Sequence, residues 1–156
     1  MSRSDRPWSR KLVRLGFKIL GKAHYQDTWP GLLIDRQRGH VLWRKQPLVI
    51  LRDPAEIIPR GLPMIAIVGS GPSLRDQRID AIGDRCAILC NGAASLVDRL
   101  QPLAIAVEDE RFVFRHWSML VKLPNDIPVL LSPAAMRAWA ERDADSLRGR
   151  ARSEEH

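Results

Sequence analysis

Cysteine is nearly absent from this chain of 156 residues, which has only Cys86 and Cys90. Two cysteines cannot build the disulfide framework of a small secreted domain, nor a zinc site with four cysteine ligands. Spaced evenly on one apolar segment, they point the same way along a strand and read as reduced core residues, which suits a cytoplasmic setting. Long apolar runs are also missing: none approaches the ~20 residues of a membrane-crossing helix, and no apolar stretch near Met1 resembles a signal peptide. Aromatic residues make up only 6% of the chain, while 45% of residues are apolar, enough for one soluble domain with its own core. Acidic residues are scarce at one end. Positions 1–60 hold 13 Lys/Arg against 5 Asp/Glu, whereas positions 61–156 hold 12 against 13, so the formal net charge of +7 originates in the N-terminal segment.

That segment, positions 1–60, reads as a basic extension. Trp8, Leu12, Leu15 and Ile19 recur at three- and four-residue steps with Arg10, Lys11, Arg14, Lys18 and Lys22 among them, the pattern of a basic amphipathic helix. Such a helix suits the anionic inner-membrane surface through residues 8–22, or packs on its own domain and turns a solvated basic face outward. A nucleic-acid partner is not expected, because no basic stripe with interleaved aromatics follows. Leu32 to Ile34, Val41 to Trp43 and Leu48 to Leu51 read as short strands, with Arg38-Gly39 as a turn. Asp53-Pro54 and the run Pro59 to Pro63 mark a linker.

Positions 61–143 then alternate between strand and helix. Strands are expected at about 64–69, 86–91, 103–107 and 127–131, and helices at about 74–82, 92–100, 110–123 and 133–142. Apolar strands alternating with amphipathic helices imply an α/β fold, a Rossmann-like parallel sheet of about four strands with helices on both faces. An exposed edge strand in so small a sheet is compatible with an oligomer. Positions 144–156 are charged and lack apolar period, which predicts a disordered tail.

The strongest local feature is Ile65 to Leu74, where an apolar run ends in Gly69-Ser70-Gly71-Pro72-Ser73. Two glycines permit positive φ and a close approach to a ligand, Pro72 stiffens the exit, and Ser73 is placed to cap the next helix, whose N-terminal N–H groups suit a phosphate. This is not a P-loop, since no Gly-Lys-Ser/Thr follows. Nor is it the standard dinucleotide fingerprint, which wants a third glycine where this chain has Leu74. The alternative is a tight turn with no ligand.

In a parallel sheet, ligands bind beyond the carboxyl ends of the strands, near the switch point in strand order. Two further loops fall there. Asn91 has an amide able to donate to and accept from a ribose or base, with Gly92 leaving room beside it; equally, Asn91 suits a helix N-cap. Glu108, Asp109 and Glu110 suit a divalent cation or sugar hydroxyls, or simply an acidic first helical turn. His116, among Phe112, Phe114 and Trp117, reads as packing rather than as a base. His24, His40 and His156 fall outside this region, and no nucleophile–base–acid triad is legible.

The run Ile65 to Leu74, then Cys90-Asn91, then a strand ending near Glu108 followed by Arg111-Phe112-Val113, resembles the bacterial sialyltransferase family over about residues 64–123. The resemblance implies a Rossmann-like domain, CMP-sugar as donor substrate, a glycan acceptor, and a glycosyltransferase role in lipopolysaccharide or surface-polysaccharide biosynthesis. It assigns nucleotide binding to Gly69, Gly71, Ser73 and Asn91, with Ser70, Pro72, Gly92, Glu108 and Asp109 beside them. The chain departs from the family at Ser70 and at Glu108 or Asp109, where the family has asparagine. The family's histidine base and phosphate-binding tyrosines lie in a later segment that this sequence lacks, so no catalytic residue is assigned and an incomplete or non-catalytic nucleotide-binding module is an alternative. The same loop resembles 6-hydroxymethylpterin diphosphokinases of the archaeal type. That likeness implies diphosphoryl transfer with Asp109 binding Mg²⁺; otherwise no metal or cofactor is expected.

Overall fold

The computed structural model describes residues 8–21, 30–62 and 64–153. Lys22, His24, Pro63 and the last three residues, including His156, lie outside the described residues, as do the side chains of residues 8–11, 14, 54, 152 and 153. The element order is α1 (Trp8–Ile19), β1 (Leu32–Asp35), β2 (His40–Trp43), β3 (Gln46–Ile50), β4 (Ala66–Val68), β5 (Ala87–Cys90), β6 (Ala104–Val107), α2 (Glu110–Arg115), α3 (Trp117–Leu120), β7 (Val129–Leu131) and α4 (Pro133–Ser153).

The first sheet is an antiparallel meander, β1-β2-β3. Alternation along its strands buries Leu32, Ile34, Val41, Trp43 and Leu48. The β2–β3 hairpin turns on Arg44 and Lys45, both at positive φ (49° and 68°), which two-residue hairpins demand and non-glycine residues adopt only at a cost. The Arg44 guanidinium covers the Trp43 ring at 5.4 Å.

The second sheet is parallel, in the order β4-β5-β6-β7, and makes this a Rossmann-like α/β fold. The face carrying Val68, Ala87, Leu89, Ile105 and Val107 is fully buried. On the other face Ala104 is buried, Ile88, Cys90 and Ala106 are half-buried, and Ile67 is 65% exposed. Spatial order follows chain order throughout, so these four strands contain no reversal and hence no switch point. The expected crevice between diverging connections is replaced by a site built from successive loops along one edge.

The elements between the strands depart from the expectation of α-helices. After β4 the chain makes two short 3-10 turns, Pro72–Asp76 and Ile79–Ala81. The apolar residues Leu74, Ile79 and Ile82 are spaced by five and three, a loose helical pattern, and Gln77 interrupts it with an extended backbone (φ −90°, ψ 142°). After β5 a 3-10 segment, Asn91–Leu96, buries Ala93 and Ala94. The helix expected over 110–123 is broken at His116 (φ −114°, ψ 30°) into α2 and α3.

Other findings concern residues near or beyond the sheet. Cys86 and Cys90 are free, but both are half-buried at the ends of β5 rather than in the core, since the burial alternation places Ala87 and Leu89 inward. Residues 144–153 of the expected disordered tail are helical, and 154–156 lie outside the described residues. Asp143 leaves the helical path (φ −162°, ψ 94°), and its Oδ1 accepts from the N–H groups of Asp145 and Ser146 at 3.1 and 2.9 Å, capping a second helical stretch. That stretch buries Leu147 and Arg150. The Arg150 guanidinium donates to the carbonyls of Leu123, Pro124 and Ile127 at 2.9, 2.7 and 3.1 Å. Leu32, Ile34, Val41, Trp43 and Leu48 belong to the same apolar core as the parallel sheet, and Arg148 Nε donates to the Pro47 carbonyl at 2.8 Å.

Candidate functional site

The carboxyl ends of β4, β5 and β6 bring their loops together. A Cβ on Gly92 would lie 2.9 Å from Ser70 Cβ and 3.2 Å from its Oγ, closer than real Cβ contacts allow. Glycine at 92 is therefore required by the approach of the Gly-Ser-Gly loop. Asn91, at φ 49°, turns its side chain to the next strand, where Oδ1 accepts from Glu108 N–H at 3.2 Å. Ser132, at the end of β7, donates through Oγ to the Glu108 carbonyl at 2.6 Å and accepts from Ala135 N–H at 3.1 Å, which caps α4. Hydrogen bonds and one steric contact thus tie four consecutive loops into one rim.

A cleft of about 570 Å³ opens at this rim, lined by Ser70, Gly71, Pro72, Gly92, Ser95 and Arg99 among others. Leu74 and Ile79 supply its apolar wall, and Arg75 and Gln77 complete the polar one. The charged lining residues are both arginines. Arg75 is exposed, and Arg99 holds Asp80 at 2.9 Å across the surface, with both partners more than half exposed. The cleft's charged lining is therefore positive, with Arg99 partly neutralised by Asp80, and it is open to solvent.

Sequence-based site residues fall into two groups. Ser70, Gly71, Pro72 and Gly92 line the cleft, and Gly69 leads into it. Ser73, Asn91, Glu108 and Asp109 do not line it. Asn91 is no N-cap, since Cys90 holds that position, and its acceptor is engaged with β6 rather than left for a ligand. Asp109 is the N-cap of α2, its Oδ1 accepting from Arg111 N–H at 2.9 Å. Glu108 is exposed, whereas Glu110 is buried against Arg137, an ion pair with side chains 8% and 3% exposed. Burial separates the three carboxylates instead of converging them, and among the described residues no group of three or more His, Cys, Asp or Glu could hold a metal ion.

The glycine loop itself differs from expectation. Neither Gly69 nor Gly71 has positive φ, and Gly71 is extended (φ −68°, ψ 160°). Ser73 makes no cap: the N-cap position is Gly71, with no side-chain bond. The following 3-10 turn has only five residues, too short for an aligned helix dipole, so positive charge at the cleft comes from Arg75 and Arg99. A Cβ at 69 would meet nothing within 4 Å, and one at 71 only Ser73 Oγ at 3.8 Å. Among the described residues, no atom stands in the way of a Cβ at either position.

No family model, no curated protein and no solved structure matches this chain.

Arg75, Gln77, Ser95 and Arg99 were not singled out from the sequence. Their only signal is position, a few residues beyond the two loops, where side chains turn back towards the strand ends. Ser95 is tied locally, Oγ donating to the Gly92 carbonyl at 3.0 Å. His116 is exposed and stacks on Phe112 at 4.5 Å between ring centroids. It stands one ring away from Gly92, whose Cβ position is 3.9 Å from Phe112 Cε2.

Proposed function

We propose that this chain binds a nucleotide or nucleotide sugar, its phosphate held in the cleft at the ends of β4 and β5. The observation that carries this reading is the pair Gly69 and Gly71, neither of which has a positive φ and both of which have open space where a Cβ would stand. Glycine there serves the approach of something outside the chain, and the facing side chains Arg75 and Arg99 suit a phosphate. The volume, about 570 Å³, falls within the range of small-molecule sites.

A CMP-sugar is the ligand that the resemblance to bacterial sialyltransferases favours, and a glycosyltransferase-like role in lipopolysaccharide or surface-polysaccharide assembly follows from it. In that role an acceptor hydroxyl attacks the anomeric carbon while the cationic cleft takes up the charge of the departing phosphate. The lining residues include no histidine, aspartate or glutamate to receive the hydroxyl proton, which supports binding rather than turnover by this cleft unaided. Metal-dependent phosphoryl transfer has less support, because Asp109 is engaged as a helix cap and Glu110 as an ion pair.

Calorimetric titration with CMP, CMP-sialic acid and ATP, each with and without Mg²⁺, tests the reading. Arg75→Glu serves as the cleft variant and Lys122→Glu as an exposed control. CMP binding abolished by the first and kept by the second is the expected result. Mg²⁺-dependent ATP binding without CMP binding would shift the reading to phosphoryl transfer, and the absence of all nucleotide binding would refute it.

A further inference from the structure

α1 is an amphipathic helix used on two sides. Val13 and Phe17, one turn apart, are half-buried and pack on the core. Leu12, Leu15 and Ile19 remain 66%, 55% and 76% exposed, and Leu20 just beyond the helix is 69% exposed. At 3.6 residues per turn, positions 12, 15 and 19 fall within about 60° of one another and roughly 150° from the centre of positions 13 and 17. The exposed stripe therefore points away from the domain, and rotation of the helix cannot bury it without withdrawing Val13 and Phe17.

Charge identifies what covers it. The helix sequence WSRKLVRLGFKI contains Arg10, Lys11, Arg14 and Lys18 and no acidic residue. Positions 11 and 18 lie along one border of the stripe, about 40–60° from position 15, and Lys18 is exposed. An apolar stripe bordered on one side by the cationic positions 11 and 18 matches the boundary between acyl chains and anionic headgroups. A nucleic acid would use the cations and leave three large aliphatic side chains in water, and a protein partner would have to supply acidic groups and an apolar groove together. No helix among the described residues is long and apolar enough to cross a membrane, so the contact is peripheral.

We propose that α1 docks this protein on an anionic lipid bilayer, with Leu12, Leu15 and Ile19 inserted at the level of the headgroups. The inference is independent of the nucleotide reading, since none of these residues lines the cleft.

The test is flotation of the full chain with vesicles of phosphatidylcholine alone or with roughly 30% phosphatidylglycerol, at low and high salt. The expected result is binding to the anionic vesicles at least about tenfold tighter than to the neutral ones, weakening as salt rises. Replacing Leu12, Leu15 and Ile19 together by Gln should reduce that binding at least about tenfold, and Lys18→Glu, which changes charge by two, by a similar factor. All four positions are exposed, so near-ultraviolet circular dichroism should stay unchanged. Equal binding to both vesicle types, undiminished binding by the triple variant, or no flotation would each overturn the proposal. If flotation fails and sedimentation equilibrium finds a dimer that the triple variant abolishes, the stripe's occupant is a second copy of the chain.

Discussion

Gly92 and Gly71 lie in neighbouring loops, and the structure predicts opposite outcomes for the same substitution in them. At Gly92→Ala the new Cβ would sit 2.9 Å from Ser70 Cβ, against about 3.5–4.0 Å for a relaxed carbon contact. The loop must yield by roughly 0.6 Å or more, and forced overpacking of this kind costs about 1–3 kcal/mol. Loss of glycine freedom in the unfolded chain offsets about 0.4–1 kcal/mol. The net destabilisation is on the order of 1 kcal/mol, or about 2–4 °C in Tm for a chain of this length. Gly71→Ala meets only Ser73 Oγ at 3.8 Å on an ordinary φ of −68°, so Tm should hold or rise slightly. Both variants place a methyl group at the cleft, and CMP affinity should fall in both. Thermal denaturation followed by calorimetric titration separates the effects: Gly92→Ala loses stability and binding, Gly71→Ala binding alone. A Gly92→Ala protein as stable as the parent would refute the contact between the two loops. A Gly71→Ala protein with full nucleotide affinity would remove the reason for placing the ligand against that loop.

Three other substitutions probe the frame around the cleft. Lys45→Gly relieves a non-glycine residue at φ 68° in the β2–β3 hairpin and should stabilise the protein by about 1 kcal/mol in urea denaturation. Glu110→Ala takes the carboxylate from the buried Arg137 and should cost about 3–5 kcal/mol, whereas the double replacement Glu110→Leu with Arg137→Met should recover much of that loss in the same assay. Arg150→Ala deletes donors to three backbone carbonyls and should cost roughly 2–4 kcal/mol. Hydrogen exchange should then show residues 144–153 losing protection first, and unchanged protection there would contradict the anchoring of this stretch.

The parallel strands were legible because each is a short apolar run bounded by turn residues, and runs such as Ala87–Cys90 and Ala104–Val107 need only their own composition to be found. The connections were harder to read. Leu74, Ile79 and Ile82 look like part of a helical stripe when counted loosely, and only their packing shows that Gln77 interrupts it. Arg150 misled the reading of the tail for a physical reason. A charged residue late in a polar sequence reads as solvated, and its burial rests on carbonyls more than twenty residues earlier in the chain. The glycines of the candidate site were found for the wrong reason: positive φ occurs at Gly21, Gly31, Gly39 and Gly61, not at Gly69 or Gly71.

Local composition and spacing determined the strand sequence of the parallel sheet, the basic amphipathic helix and the position of the glycine loop, since each depends on residues a few positions apart. Tertiary structure decided which of those residues meet. It placed Gly92 under Ser70, turned Asn91 to Glu108, buried Glu110 against Arg137, and chose the pair Val13 and Phe17 over Leu12, Leu15 and Ile19 as the side of α1 that faces the core. These choices depend on distances between chain segments, which periodicity within one segment does not encode.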